Sequence, residues 1–299
     1  MIDDRWETFG GGLLRHRWSP TALNDFCKCP RYFELVQVGG WGRPDNVDLL
    51  FGSALHEGLW AYHERCAGGR GNPLYDAIRV ALAAGAELPF DGEETVKTRP
   101  NLVRALIEWA DSYGYDTPGW LPLLPEASPA NEVPFELDLD METPNGTPYK
   151  LYGVLDRVVT LRGKPAIIDS KSTKYSMGSF YFKRFKPDTQ ISLYSGAGSM
   201  LFHGYKGTVF IDAFFVSKIA GVEVFRGELA VHDGLEAIED AKFWIKQAER
   251  CAVAGYYPMN RTSCGLYGGC MFRGVCSAPK STRHSILEQE FERKSLTEV

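Results

Sequence analysis

The chain has 299 residues, 44% of them apolar and 24% charged, with a formal net charge of −5, an ordinary balance for a folded globular protein. No apolar run approaches the roughly 20 residues that span a bilayer, and the opening "MIDDRWETFGGG" carries acids where a secretory leader has an apolar core. The expectation is a cytoplasmic protein whose seven cysteines stay reduced or hold metal, while the acidic balance neither advertises nor excludes a nucleic-acid surface, which depends on the local field.

In chain order, "RWSPTALNDFCKCPRYFELVQ" predicts one helix begun by Ser19, with Pro20 at its first position and Leu23 and Phe26 inward. "FGSALHEGLWAYHERCAGG" predicts a second, with Phe51, Leu55, Leu59 and Tyr62 at helical spacing and glycines closing it. Residues from about 72 to 122 read as helical and looped, with "YDAIRVALAAG" and "NLVRALIEWADSYG" as amphipathic pieces of an insertion. Strand patterns follow in "EVPFELDLD", "YKLYGVLDRVVTL", "PAIIDSKS", "GTVFIDAFFVS" and "GVEVFRGELAV", with a helix, "DTQISLYSGAGSMLF", between the third and fourth. "DGLEAIEDAKFWIKQAERCAVAG" is a long helix with the stripe Leu235, Ile238, Ala241, Ile245, Ala248 and Ala252. No repeat or low-complexity linker divides the chain. The order implies one α/β domain over 1–278, with a mixed central sheet and flanking helices, then a charged tail, 279–299, read as a loosely attached helix.

Within "PAIIDSKSTK", Asp169 and Lys171 stand two apart on a strand, so they share a face. That alone fits either a salt bridge at a strand end or part of a site. "LYGVLDRVVTLRGKPAIIDSKST" reads as a hairpin turning at Arg162, Gly163 and Lys164, which places Asp156 opposite residues 169 to 171. If the register brings both acids to one place, their repulsion calls for a cation. Asp oxygens suit Mg²⁺ or Mn²⁺, and Lys171 could orient an attacking water. Downstream, Lys164, Lys171, Lys174, Lys183, Arg184 and Lys186 face one acid, Asp169, with Tyr175, Phe180, Tyr181, Phe182 and Phe185 interleaved. This pattern suits a single-stranded nucleic acid, with Lys174, Lys183, Arg184 and Lys186 on phosphates; it equally suits a basic loop whose aromatics are core.

Four motifs in order resemble the PD-(D/E)xK nuclease superfamily, and within it the RecB-like exonucleases: "GSALHEGL" with His56, "GVLDRV" with Asp156, "IIDSKST" with Asp169 and Lys171, and "QISLY" with Gln190 and Tyr194. The resemblance runs from about Ser19 to Cys276 and implies a restriction-endonuclease-like core. It assigns the metal to His56, Asp156, Asp169 and the carbonyl of Ser170. It gives Lys171 the placing of water and stabilisation of phosphate charge, with Gln190 and Tyr194 bracing the lysine or touching DNA.

AddB-type and CRISPR-associated members carry one early and three late cysteines around a [4Fe–4S] cluster. Cys29, before "PRYF", and Cys264, Cys270 and Cys276 match them, although five residues separate the first two late cysteines where the family usually has two. Zinc on the same thiolates is the alternative. Cys27, Cys66 and Cys251 read as small core residues, with Cys27 able to replace Cys29. The implied protein is a metal-dependent DNA exonuclease of recombination, repair or phage DNA processing, in a bacterial cell or phage-infected host. No P-loop motif occurs, so a helicase or strand-annealing partner would supply unwinding. A structure-specific endonuclease, or a DNA-binding module that has lost cleavage, are the rivals.

Overall fold

Ser19 and Pro20 start the first helix by their own chemistry: the Ser19 hydroxyl accepts from the Ala22 N–H at 3.2 Å, and Pro20 needs no donor there. The computed structural model describes residues 6–9, 11–43, 46–68, 71–114, 131–161, 164–174, 180–219 and 221–294. The expected turn at Arg162 and Gly163, the aromatic Tyr175, and stretches 115–122 and 295–299 lie outside the described residues.

Strands β1 (Trp6–Phe9), β2 (Gly12–Arg15) and β3 (Arg17–Trp18) precede α1 (Pro20–Lys28) and α2 (Pro30–Phe33). Next come β4 (Trp41–Gly42), α3 (Val47–Gly68), α4 (Pro73–Ala84) and α5 (Arg99–Tyr113). The long strands are β5 (Asn131–Glu142), β6 (Pro148–Leu161) and β7 (Lys164–Thr173), then α6 (Thr189–Leu201), β8 (Thr208–Ser217) and β9 (Gly221–Ala230). The chain continues through α7 (Gly234–Ala254), α8 (Arg273–Ser277), α9 (Arg283–Glu290) and β10 (Glu292–Arg293). Among the described residues no helix is long and apolar enough to cross a membrane.

The chain packs as two compact units. One comprises Met1–Pro44, Glu136–Gly153 and Glu236–Val299. Here the single helix expected from Ser19 is broken. Pro30 disfavours a helical conformation in the residue before it, so Cys29 is extended, at φ −167° and ψ 116°, and α2 starts afresh. Trp18 stacks on Phe33 at 5.2 Å and meets Phe26 edge-on at 6.5 Å, giving this unit an aromatic centre. The described part of the tail, 279–294, is not loosely attached. Leu287 and Phe291 are buried with Phe272 and Val275, Phe272 stacks on Phe291 at 4.7 Å, and β10 pairs with β4. The stripe of α7 is buried from Ile238 to Ala252, but Leu235 is exposed in its first turn.

The other unit comprises Asp45–Phe135 and Val154–Leu235. Its strands run in the order β6-β7-β8-β9, with β6–β7 and β8–β9 antiparallel and β7–β8 parallel. The parallel pair requires a crossover, and α6 supplies it. A mixed sheet with flanking helices is thus the observed fold class. Phe51, Leu55, Leu59, Leu102, Leu106 and Trp109, from α3 and α5, bury against Phe214 and Val216 of β8. Each large apolar side chain fully buried contributes about 1.5–3 kcal/mol. Helix α6 lies close to the sheet because Gly198 has no side chain; a Cβ there would stand 2.8 Å from Ile167 Cδ1.

One buried element was not legible in the sequence. Asp212, 1% exposed on β8, accepts from the Trp109 indole at 2.9 Å and from Arg226 Nε at 2.6 Å. Arg157 reaches it at 3.5 Å and contacts His63 Nε2 at 2.7 Å. Burial and the two guanidinium groups hold His63 well below the ordinary imidazole pKa, so it is neutral. Asp212→Ala leaves buried cations and an indole N–H without their acceptor. We expect a loss of about 3–5 kcal/mol in urea unfolding; a loss under about 1 kcal/mol would contradict the network's structural role.

Candidate active site

On β7 the side chains alternate between two helices. Ile167 packs under α6, so Asp169 and Lys171 also face α6; Ser170 and Ser172 turn towards α3, where Ser172 lies near Gly52 and the Ser170 carbonyl meets His56. Asp169 is fully buried. Lys171 Nζ donates to Asp169 Oδ1 at 3.0 Å and to Gln190 Oε1 at 3.1 Å, and Gln190 Nε2 donates to Tyr194 Oη at 3.0 Å. The four-residue spacing of Gln190 and Tyr194 aligns them on α6, whose first turn is fixed by Asp188 accepting from the Ile191 N–H at 3.1 Å. Burial raises the Asp169 carboxyl above the usual carboxylate range, and Asp156 adds to the shift while Lys171 opposes it. For Lys171, burial works against the charge, but Asp169 and Asp156 outweigh it and hold the amine above its ordinary value. Lys171 is therefore a fixed cation here, suited to steadying negative charge rather than to taking a proton. Burial also raises the Tyr194 hydroxyl pKa, so it stays a neutral hydrogen-bonding group.

Between β6 and β7 the pairing runs from Leu161↔Lys164 to Arg157↔Ile168. Just past its end, the Asp156 carboxylate accepts from the Ser170 N–H at 2.8 Å in place of a ladder partner. His56, on α3, has Nδ1 3.5 Å from Asp156 Oδ2 and Nε2 3.1 Å from the Ser170 carbonyl oxygen. The sequence reading missed Glu132. Its Oε1 lies 3.9 Å from His56 Nδ1, and ligand atoms of His56, Glu132 and Asp156 all lie within 4.8 Å of one another. Among the described residues this is the one such group of histidine, cysteine or acidic side chains. Burial and then Asp156 raise the Glu132 pKa. Glu132 sits on the exposed, polar face of β5 with Glu136, Asp138 and Asp140, so alternation alone reads it as solvated surface.

A divalent cation fits this donor set. One imidazole and two carboxylates converge, and the buried Asp169 Oδ2 lies 2.9 Å from Lys171 Nζ without completing a hydrogen bond. The residues open onto a cleft of about 930 Å³ lined by His56, Glu132, Ser170 and Lys171.

The basic segment divides. Lys183, Arg184 and Lys186 are exposed, whereas Lys174 pairs with Asp48 at 2.9 Å. Of its aromatics only Phe180 is fully exposed among the described residues; Tyr181 and Phe185 are core and Phe182 is half-buried beside Gly227. Among the described residues no continuous aromatic stacking face is therefore formed there.

Cys29, Cys264, Cys270 and Cys276 line one small cavity with Tyr32 and Phe272. The Asn260 N–H donates to Cys29 Sγ at 3.2 Å, and Cys270 and Cys29 both help raise the Cys276 thiol pKa, after burial. Cys27 does not line that cavity, and burial pushes its thiol pKa up to about 12. Cys66 and Cys251 are half-buried.

An acid from each of two adjoining strands, a helix-borne histidine and a braced lysine thus gather around residues 169–171, with His56 and Lys171 lining the cleft. The model of the PD-(D/E)XK nuclease superfamily matches residues 17–277, and the chain belongs to that superfamily. Among solved structures it is similar to a Eubacterium rectale protein provisionally named an exonuclease, at 15% identity over 88% of this chain and 94% of that one, with a TM-score of 0.50. This likeness speaks for the fold. SSO0001 aligns at 13% identity over 67% of this chain and 85% of that one, with a TM-score of 0.31. No curated protein matches the chain in sequence.

The geometry predicts that Glu132→Gln weakens Mn²⁺ binding by about tenfold or more, measured by electron paramagnetic resonance titration. An unchanged affinity would remove Glu132 from the ligand set.

Proposed function

We propose that the protein is a divalent-metal-dependent DNA exonuclease that acts on or produces single strands. The observation that carries this reading is that the His56–Glu132–Asp156 group and the Asp169–Lys171–Gln190 chain adjoin at residues 169–171, with His56, Glu132 and Lys171 lining one cleft. His56, Glu132 and Asp156 would hold Mg²⁺ or Mn²⁺, with Asp169 and the Ser170 carbonyl as further oxygens. When bound, the cation supplies Lewis acidity at the phosphodiester. Lys171 would balance charge building on the phosphoryl oxygens, and Gln190, itself held by Tyr194, would keep the amine aimed. The exonuclease name of the Eubacterium rectale neighbour and the RecB-like motif order support exonuclease action over endonuclease action. A helicase or strand-annealing partner would supply unwinding, in recombination, repair or phage DNA processing.

Asp169→Ala and Lys171→Ala should each slow degradation of end-labelled linear DNA by at least about a hundredfold in Mn²⁺, with the fold intact by circular dichroism. EDTA should abolish the wild-type activity, and circular single strands should survive. Wild-type rates in either variant would sink the site assignment, and cleaved circles would make the enzyme an endonuclease.

The same reading includes a [4Fe–4S] cluster on Cys29, Cys264, Cys270 and Cys276. What supports it is that these four residues line one cavity, with the break between α1 and α2 falling at Cys29; no three of their thiols lie within 4.8 Å of one another among the described residues. The role would be structural, since metal capture by residues far apart in sequence contributes folding energy. Protein purified without oxygen should be brown, and serine at any of the four positions should bleach it and lower its melting temperature. Serine at Cys27, Cys66 or Cys251 should leave the colour. Bound zinc without iron would replace the cluster and leave the nuclease reading standing.

A further inference from the structure

Lys97, in the loop entering α5, has no part in the reaction just described. Its side chain is 1% exposed, yet its amine has no hydrogen bond or ion pair among the described residues; Nζ lies over the Phe51 ring at 4.5 Å. A buried ammonium without an anion is unfavourable. Burial pushes its pKa down to about 8, with Asp48 opposing the shift and Lys174 adding to it.

The amine borders a second cavity of about 370 Å³. The charged groups lining it are Lys97, Lys171, Lys174 and Arg184 against Asp48 and Asp188. Most of these are already engaged. Lys174 pairs with Asp48, Lys171 with Asp169, and Asp188 caps α6. Two cations remain without a carboxylate: Lys97, and Arg184, whose guanidinium lies over the Tyr181 and Phe185 rings at 5.3 and 5.1 Å. The cavity thus has a surplus of positive charge and the hydroxyl-bearing residues Ser172 and Thr173 in its wall, the chemistry of an oxyanion site. Asp48, Ser172 and Lys171 also line the main cleft. A strand whose scissile phosphate lies at Lys171 therefore has a continuous path into this second cavity.

We infer that Lys97 and Arg184 form a phosphate-binding site that holds one phosphate of the substrate strand next to the scissile one. This rests on the nuclease reading for the identity of the ligand. The phosphate is either an internal diester or a terminal monoester, and the two sources share the same recognition.

Binding is measured by fluorescence anisotropy in EDTA, where no cleavage occurs, with dodecamer single strands carrying a 5′-phosphate, a 3′-phosphate or hydroxyl ends. Lys97→Met should weaken binding by about tenfold or more at low salt, and the log–log salt slope should fall by about 0.7. A loss confined to one phosphorylated end identifies a terminal site, and an equal loss on all three strands an internal one; both support the inference. A folded Lys97→Met protein with wild-type affinity and slope overturns it while leaving the nuclease reading intact. Wild-type protein that binds none of the strands overturns both. A second variant covers a Lys97 variant that fails to fold: Arg184→Gln, at an exposed side chain, should weaken dodecamer binding in EDTA by about tenfold or more, and wild-type affinity in this variant would overturn the site.

Discussion

The ion pair of Asp169 with Lys171 is the constraint on which the geometry of the α6 face of the sheet depends. A carboxylate with no solvent exposure is stable only when countercharge and hydrogen bonds replace the water it has lost. Lys171 supplies the countercharge from the same face of the same strand, and its amine then needs a second acceptor. Gln190 provides one and needs Tyr194 to hold its own amide. The chain of requirements dictates where α6 must lie, and Gly198 lets the helix approach closely enough to meet them. Crossover, helix seat and site geometry are thus solved together.

Sheet alternation separates two kinds of buried charge. On the α6 face the charges are few and one oxygen, Asp169 Oδ2, completes no hydrogen bond. On the face towards α3 and α5, Asp212 takes three close donors from Trp109 and Arg226, with Arg157 a little further away. A carboxylate so fully engaged has little capacity left for a cation. The two acids, Asp169 and Asp212, lie on adjacent strands, one residue out of register, and their different surroundings suit one to chemistry and the other to holding the sheet.

Much of this was legible in the sequence because strands and helices have fixed periods. The face shared by Asp169 and Lys171, the hairpin that sets Asp156 opposite residues 169 to 171, and the spacing of Gln190 and Tyr194 all follow from local geometry. What could not be read depends on tertiary surroundings. Glu132 hides in the polar face of an amphipathic strand. Lys97 is one lysine in a loop until Phe51 lies beneath it. Asp212 and Arg157 stand in strands whose patterns look merely interrupted. The break at Cys29 was accessible, since Pro30 restricts its predecessor, but the helical periodicity on either side masked it. The tail looked detachable because its charge concealed the two apolar residues, Leu287 and Phe291, that anchor it.

Two of the contacts at the divergence of β6 and β7 come from the main chain of one residue: the Ser170 N–H meets Asp156 and its carbonyl meets His56. Neither depends on which side chain position 170 carries. Alanine there would therefore keep both main-chain contacts and leave unaltered what Asp156 and His56 touch. Proline alone removes the donor, and with it the group that holds the first acid in place. Sequence variation at this position among related chains is thus compatible with an unchanged centre, so a search that scores side-chain identity would undervalue one of its structural members.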